Sequence, residues 1–366
     1  MKKKISFITL HAIRNYGSVL QTLATQHIFE SFGWQVEVID FRRTDSKNVF
    51  RRIRRWIKNE SFLNKVLKSL ILYPTFVRQN IVFDDFLSKY IYLTKRTYTT
   101  NEDFETLSID ADVYCTGSDQ TWNSGWNNGI LDPLFLGFVP DDIRKISYAA
   151  SFGKSEFDEW EKEKTTKLLK RYAAISVRES SGVAMIEDLG IKGSVHVLDP
   201  TLQLDKNFWQ KYAKKPKYSP YVLIYQLNTN PQFDIYAKEY AKRKGLKLVR
   251  FCVRYDQAFK TGMPVLVPKP LDFVSLIMYA DCVITDSFHA TAFCINMNTP
   301  MISIYPNEYS SRLASILKLT GLENRHLKDY NDFSFEKTID WRLVNSIIEK
   351  QRKIGFDFLE KALTIQ

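Results

Sequence analysis

One short segment, residues 280–304, brings a serine, a histidine and the start of a helix together. Residues 282–285 (CVIT) form an apolar run rich in β-branched side chains, typical of a buried parallel strand. Asp286 and Ser287 follow as a turn in which Ser287 caps the helix, because a serine oxygen accepts hydrogen bonds from the first free amides. His289 falls in the first helical turn, where it can bind an anion and move a proton beside the positive end of the helix dipole. The segment predicts an anion site; the alternative is a surface histidine beside an ordinary cap.

The elements that position these side chains form a β-turn-α-β unit. The helix continues over residues 290–297, the Asn-Thr-Pro of residues 298–300 ends it, and residues 301–304 resume a strand. The N-terminus of such a helix points out of the carboxyl edge of the sheet. Open α/β sheets bind their ligands at this edge.

A second predicted strand delivers polar residues to a similar edge. The buried run of residues 111–116 leads into Gly-Ser-Asp-Gln and then Trp122. Asp119, Gln120 and Trp122 together suit sugar recognition, which pairs a planar apolar face with hydrogen-bond partners. Turn chemistry, such as an Asx turn at Asp119, is the alternative.

A third predicted strand, residues 172–177, ends in Arg178 and Glu179. The planar guanidinium of an arginine can pair with a phosphate or carboxylate through two parallel hydrogen bonds, and the resemblance described below decides whether Arg178 has this role. An ion pair with Glu179 or with another carboxylate is the alternative.

Two βα series organise the chain, and at 366 residues it is too long for one compact core. Residues 5–41 read strand, helix, strand, and without GxGxxG they give no case for a dinucleotide. A Lys- and Pro-rich stretch, residues 214–220, separates this series from a second one. We place the domains at 1–205 and 206–366, with a closing helix over residues 341–363.

Most of the positive charge lies in one segment. The chain has 52 Lys and Arg against 41 Asp and Glu, a net charge of +11, and residues 42–78 hold eleven Lys or Arg and two acids. This concentration argues against a general nucleic-acid-binding surface. Within a helical insertion at residues 42–86, an amphipathic helix has Ile53, Trp56 and Ile57 on one side and arginines on the other. The insertion is predicted either to lie on an anionic membrane or to pack on the first domain.

Composition excludes several classes of protein. A share of 45% apolar and 14% aromatic residues is typical of a folded globular protein. The first apolar run ends at His11, too early for a signal peptide, and no stretch reaches the roughly 18 apolar residues of a spanning helix. The four cysteines form no CxxC pair and are expected to be reduced core residues of a cytoplasmic protein. The histidines lack metal-site spacing, so we expect no metal.

Several motifs, in this order, resemble the polysaccharide pyruvyl transferase family. They are NYGSVLQTLA, TGSDQTWN, ISYAASFG, SVRE, LDPTL, TDSFHATAF and SSRLASIL, and they extend from about residue 15 to residue 327. The chain departs from the family pattern in two small ways: TGSDQTW has Thr before the glycine, and HATAF has Ala where Gly is common.

The resemblance implies a fold and a reaction. The fold would be α/β, with two Rossmann-like doubly wound domains facing each other across a cleft, as in GT-B glycosyltransferases. The family moves the carboxyvinyl part of phosphoenolpyruvate onto two hydroxyls of a sugar, forming a cyclic ketal and releasing phosphate, with no cofactor. The acceptor would be a sugar of a surface or capsular polysaccharide precursor, lipid-linked at the inner membrane face.

The resemblance also implies roles for single residues. His289 would be catalytic, with Asp119 as the second candidate base. The implied ligands are Arg178, Ser287, His289 and Arg312 for the donor, and Asn15, Tyr16, Asp119, Gln120 and Trp122 for the acceptor. Phosphoenolpyruvate is expected between the Ser287 helix and Arg178, with His289 only partly buried.

Two other functions are compatible with the same pattern. A glycosyltransferase that uses a nucleotide sugar would need a ribose-binding carboxylate and a base pocket, and neither is identifiable in the sequence. A catalytically silent binding subunit of a polysaccharide assembly would not need His289, Arg178 and Arg312, which are all present. The sequence names neither the acceptor sugar nor the hydroxyls that would carry the ketal.

Overall fold

The computed structural model describes residues 2–43, 48–306, 311–335 and 338–364. Its strands are β1 (Lys4–Ile8), β2 (Gln35–Val38), β3 (Val113–Thr116), β4 (Arg144–Ser147), β5 (Ser176–Val177), β6 (Val195–His196), β7 (Tyr221–Tyr225), β8 (Lys247–Cys252), β9 (Met263–Leu266), β10 (Cys282–Thr285) and β11 (Met301–Ser303). Its helices are α1 (Tyr16–Ser31), α2 (Val49–Trp56), α3 (Phe62–Tyr90), α4 (Ser124–Asn127), α5 (Glu159–Leu169), α6 (Ser180–Asp188), α7 (Pro200–Gln203), α8 (Lys206–Gln210), α9 (Pro231–Arg243), α10 (Pro270–Met278), α11 (Phe288–Met297), α12 (Ser311–Thr320) and α13 (Trp341–Leu363). Short 3-10 turns cover Glu102–Thr106, Asp132–Phe135, Tyr255–Phe259 and Glu323–Arg325.

The first of two compact units comprises Met1–Thr44, Leu87–Leu204 and Ser346–Gln366. Its sheet has the strand order β2-β1-β3-β4, and every neighbouring pair is parallel. The short pair β5 and β6 joins this sheet through a bridge between Ala150 and Val177. Every residue of β3 is buried, as expected for a parallel sheet that helices cover on both faces.

The second unit comprises Asp45–Phe86 and Asp205–Asn345. Its sheet has the order β11-β10-β7-β8-β9 and is also parallel throughout. The predicted strand at residues 282–285 is confirmed as β10 with all four residues buried. Both units are therefore Rossmann-like α/β units, which is the predicted fold class.

Each sheet has one point where the order of strand addition reverses. In the first unit this point lies between β1 and β3, and in the second it lies between β7 and β10. Loops that leave two neighbouring strands on opposite faces open a crevice beyond the carboxyl ends of those strands, where α/β sheets bind ligands. The motif residues 117–122 follow β3, and residues 286–289 follow β10. Each crevice therefore receives one of the sequence motifs.

Residues 48–86 of the predicted basic insertion group with the second unit, not with the first domain as predicted, whereas Arg42 and Arg43 group with the first unit. Residues 44–47 lie outside the described residues. The Gln79 side chain donates to the carbonyl of Val253 at 2.7 Å, and the Tyr255 amide donates to the Thr75 hydroxyl at 3.1 Å. These hydrogen bonds tie α3 to the segment that follows β8.

The closing helix was predicted at residues 341–363 and forms there, but most of it groups with the first unit instead of the second. Its Arg352 donates to the carbonyl of Leu202 at 2.8 Å, and the Gln203 side chain donates to the carbonyl of Arg352 at 2.7 Å. The change of unit at Leu204 falls one residue before the predicted boundary.

The four cysteines are buried and form no disulfide, as predicted. No helix among the described residues is both long and apolar enough to cross a membrane.

Candidate functional site

The first turn of α11 is built as the sequence predicts. Ser287 is the N-cap, with its hydroxyl accepting from the Ala290 amide at 3.4 Å. Every residue of α11 is buried, and His289 is 7% exposed, so the expectation of a partly exposed histidine is wrong. The cause is the long apolar run after His289, which places the whole helix inside the unit. An imidazole held in this way has a fixed position beside the amides of the helix terminus.

Arg312 belongs to the same neighbourhood. It lies in the first turn of α12, and its guanidinium carbon is 6.0 Å from the ring centre of Phe288. The ring of Phe288 lies 5.3 Å from that of His289. The structure therefore brings Ser287, His289 and Arg312 to one end of α11, where the guanidinium adds a full positive charge to the helix dipole. Ser310 of the SSRL motif lies outside the described residues.

Asp286 connects two loops through hydrogen bonds, a role that the sequence did not predict. Its carboxylate accepts from the amides of Leu227 and Asn228, both at 2.8 Å, and from the side chain of Asn228 at 3.0 Å. Burial raises the pKa of Asp286 above its ordinary value, against the effect of these hydrogen bonds. Asp286 thus ties the loop after β7 to the loop after β10. The sequence contains a signal for this role, because Asp286 is an acidic residue directly after a buried strand.

The corresponding crevice of the first unit is filled by an internal polar network. The Ser18 hydroxyl donates to one oxygen of Asp119 at 2.5 Å, and the Gln120 amide donates to the other at 2.9 Å. Asp119 itself has a φ of 79°, a strained backbone conformation for a residue other than glycine. Both carboxylate oxygens hold this turn in place, which is the predicted alternative to a base.

Arg178 lies at the centre of this network and is buried. It donates to Asp199 at 2.8 Å and to Glu179 at 3.1 Å, and it lies 3.8 Å from Asp119. Burial opposes the charged guanidinium, but the three carboxylates outweigh it and hold the pKa of Arg178 above its ordinary value. The ion pair named as the alternative is therefore present. Three carboxylates around one guanidinium leave the cluster negative, and that charge disfavours a phosphate or carboxylate ligand.

The predicted acceptor residues are less accessible than expected. Asn15 is the N-cap of α1 and accepts from the Gly17 amide at 2.9 Å, and Tyr16 is buried. Trp122 is 2% exposed and donates to the carbonyl of Leu134 at 3.1 Å. Its ring also stacks on that of Phe135. Trp122 is therefore a core residue, and the prediction of a direct sugar contact does not hold for it.

Gln120 is the one predicted acceptor residue of the loop after β3 that is partly exposed. Its side-chain oxygen accepts from Asn123 at 2.6 Å, and both side chains pass close to Gly153. A Cβ at Gly153 would collide with both amides, and its φ of 66° also favours glycine. The glycine of the ISYAASFG motif thus leaves room for Gln120.

Trp126 is a residue that the sequence reasoning missed. It is exposed on α4, four residues after Trp122, and the guanidinium carbon of Arg43 lies 5.2 Å from its ring centre. Arg43 also donates to the side chain of Asn127 at 3.3 Å. An exposed indole beside a guanidinium offers the planar face and donors that sugars bind.

Among residues 2–43, 48–306, 311–335 and 338–364, no group of three or more His, Cys, Asp or Glu side chains is arranged to hold a metal ion. Asp119, Glu179 and Asp199 converge on a guanidinium instead.

The profile of the polysaccharide pyruvyl transferase family matches residues 15–308. No curated protein matches the chain. Solved structures with a similar fold include the UDP-GlcNAc 2-epimerase of Neisseria meningitidis bound to UDP-GlcNAc (TM-score 0.49, 11% identity, 99% of this chain and 100% of that chain). They also include the UDP-GlcNAc 2-epimerase of Methanocaldococcus jannaschii (TM-score 0.48, 12% identity, covering 98% of this chain and 99% of that chain). A third is UGT89C1 of Arabidopsis thaliana complexed with UDP-L-rhamnose (TM-score 0.49, 10% identity, covering 99% of this chain and 100% of that chain).

Proposed function

Because this chain belongs to the polysaccharide pyruvyl transferase family, we propose that it transfers pyruvate from phosphoenolpyruvate to a sugar of a surface or capsular polysaccharide precursor. The product would be a cyclic ketal on two sugar hydroxyls, with phosphate released. The observation that carries the proposal is the group formed by the α11 terminus, buried His289 and Arg312 in the second unit. This group combines anion binding with a titratable side chain.

The donor has two anionic groups, and the second unit offers two kinds of cationic partner. The amides of the first turn of α11, with the hydroxyl of Ser287, suit a phosphate. Arg312 suits the phosphate or the carboxylate, because its fork pairs with either anion. We leave Arg178 out of the donor ligands, since its own carboxylates already hold it. Arg178 then acts as a positioning residue for the loop of Asp119.

The reaction needs a proton at the methylene carbon of the donor and the removal of protons from two sugar hydroxyls. Addition of the first hydroxyl to C2 and protonation of C3 give a tetrahedral carbon that carries the phosphate and a methyl group. The second hydroxyl then displaces the phosphate and closes the ketal. His289 is our candidate for moving these protons, because histidine exchanges protons near neutral pH.

The acceptor side belongs, in this proposal, to the first unit. Gln120 would hydrogen-bond the sugar and Trp126 would lie against its ring, with Arg43 nearby. Trp122 would support this surface from the core instead of touching the sugar. The second candidate base, Asp119, would shape the loop and not remove protons, because both its oxygens accept hydrogen bonds.

Phosphate release tests the proposal. The full chain is incubated with phosphoenolpyruvate alone and with lipid-linked oligosaccharide acceptors, and both inorganic phosphate and the acceptor mass are followed. We expect phosphate and a pyruvyl adduct in equal amounts only when donor and acceptor are both present. Glycosyl transfer from a nucleotide sugar, with phosphoenolpyruvate left intact, would overturn the proposal.

A further inference from the structure

The helical segment α2–α3 carries an unusual amount of exposed apolar surface. The large apolar side chains that are exposed on the first half of α3 are Phe62 (84% exposed), Leu63 (68%), Val66 (45%), Leu67 (53%) and Leu70 (69%). At 3.6 residues per turn these positions fall on one side of the helix. We call these five residues the apolar stripe. The opposite side of α3 holds Leu72 and Phe76, which are buried.

The contacts of α2 match the packed alternative of the sequence prediction, but they are made within the second unit instead of against the first domain. Ile53 of α2 is buried and packs in one cluster with Leu72 and Phe76. Trp56 is half exposed, but the guanidinium carbon of Arg254 lies 4.6 Å from its ring centre. The apolar side of α2 therefore serves to attach the segment to the second unit. The apolar surface left for an external partner lies on α3.

Basic residues adjoin the apolar stripe. The ring of Phe50 on α2 lies 5.8 Å from that of Tyr73 on α3, which extends the exposed apolar surface onto α2. Arg54 follows Phe50 by four residues and so lies on the same side of α2. Between residues 48 and 73 there are seven Lys or Arg and a single acid, Glu60. Glu60 is paired with Lys68 at 2.5 Å.

We propose that the apolar stripe and the arginines of α2 form a docking surface for an anionic lipid bilayer. Exposed Leu and Phe side chains that enter the acyl region, beside cations that meet anionic head groups, are what interfacial helices use. The exposed side chains of Leu63, Leu67 and Leu70 do not match a nucleic-acid-binding surface, because such surfaces combine basic residues with polar and aromatic side chains. A second copy of the chain fits less well, because it would cover the apolar stripe without giving the adjoining arginines an excess of negative charge to bind. The inference does not depend on the pyruvyl transfer proposed above.

Flotation with vesicles tests the docking surface. The full chain is mixed with vesicles of phosphatidylcholine, or of phosphatidylcholine with phosphatidylglycerol. We expect binding to the anionic vesicles alone, and release as salt rises through the screening range. The variant Phe62→Ser/Leu67→Ser/Leu70→Ser should lower the partition coefficient at least about tenfold. The variant Arg51→Ser/Arg54→Ser/Arg55→Ser should lose the preference for vesicles that contain phosphatidylglycerol.

The matched control removes exposed apolar side chains elsewhere in the second unit. Ile235 is 70% exposed and Phe259 is 86% exposed, so Ile235→Ser/Phe259→Ser should bind vesicles as the wild type does. Thermal unfolding checks that each variant is folded, and the phosphatidylcholine arm detects purely apolar adsorption. Equal binding by the stripe variant and the wild type would overturn the proposal. The proposal would also be overturned if sedimentation showed that the wild type is a dimer that does not bind vesicles, and that the stripe variant is a monomer.

Discussion

The crevice of the first unit and that of the second differ in the charge that surrounds them. In the first, Arg178 lies among Asp119, Glu179 and Asp199, so carboxylates outnumber the guanidinium. In the second, a helix N-terminus and Arg312 supply positive charge. The acid of that crevice, Asp286, is turned towards the amides of the loop after β7.

The difference shows that the same position in a Rossmann-like sheet can serve two purposes. A buried arginine among carboxylates fixes a loop, because its guanidinium is held by the carboxylates and their negative charge disfavours an anion. A helix terminus with a nearby arginine keeps its attraction for an anion. We therefore infer that the donor anion belongs to the second unit, and that the first unit supplies a rigid loop for the acceptor. Four predictions test this comparison.

The largest effect is expected from Arg178→Ala. It leaves three buried carboxylates without their cation, and removing one partner of a buried ion pair typically costs about 3–5 kcal/mol of unfolding free energy. Urea denaturation measures the loss. Arg96→Ala, which removes an exposed pair with Asp103, is the control and should cost less than about 1 kcal/mol. If the Arg178→Ala variant is as stable as the wild type but no longer binds the donor, Arg178 is a donor ligand.

His289→Ala should lower turnover at least about 100-fold, the usual scale for losing a general acid or base. Because His289 is buried, a fall of the melting temperature by a few degrees is also expected. Steady-state phosphate release measures turnover. His27→Ala, at a half-exposed histidine paired with Glu30 in the first unit, should leave turnover unchanged. Full turnover in the folded His289 variant would remove His289 from the chemistry.

Arg312→Ala should weaken the binding of phosphoenolpyruvate by about 1.5–3 kcal/mol, the scale of a hydrogen bond to a charged group. The stability of the protein should change little, since Arg312 is only partly buried. Calorimetric titration gives the donor affinity. Arg243→Ala is the matched control, because Arg243 lies over the ring of Phe333 as Arg312 lies near that of Phe288. If both variants bind the donor alike, Arg312 is not a ligand.

The smallest effect concerns pH, and it has opposite signs in the two units. Burial raises the pKa of Asp286, so the unfolding free energy should fall as pH rises from about 4, the unfolded value, through the raised pKa. Burial also acts on Asp40, but hydrogen bonds with His11, Arg42 and Thr97 outweigh it and hold its pKa well below the ordinary range. Asp40 should therefore lose its stabilising effect as pH falls below about 4.

Urea titrations at several pH values separate these two groups. Asp286→Asn should remove the loss above about pH 4, and Asp40→Asn should remove part of the loss below it. Each slope should stay under about 1.4 kcal/mol per pH unit, the limit for one proton. Unchanged slopes in both variants would show that other groups govern the pH dependence.

The sequence predicted the elements around the motifs well, because each depends on local signals. β10 is a buried β-branched run, Ser287 is a cap directly before a helix, and α13 has clear ends. β9 was missed, because its Pro264 and its exposed side chains match an edge strand and give no apolar run.

The roles of single residues were harder to predict, because they depend on distant partners. Asp199, which binds Arg178, lies 21 residues away along the chain, and Val253, which accepts from Gln79, lies 174 residues away. Neither spacing follows from local periodicity. The burial of Trp122 likewise depends on Phe135 and Phe152, which stack around it from other loops.

A crystal structure with phosphoenolpyruvate bound tests the central inference most directly. We predict that the donor phosphate lies about 3 Å from the amides of the first turn of α11 and from the guanidinium of Arg312. In that structure Arg178 should keep its bonds to Glu179 and Asp199. A donor bound against Arg178, with those carboxylates displaced, would contradict the account.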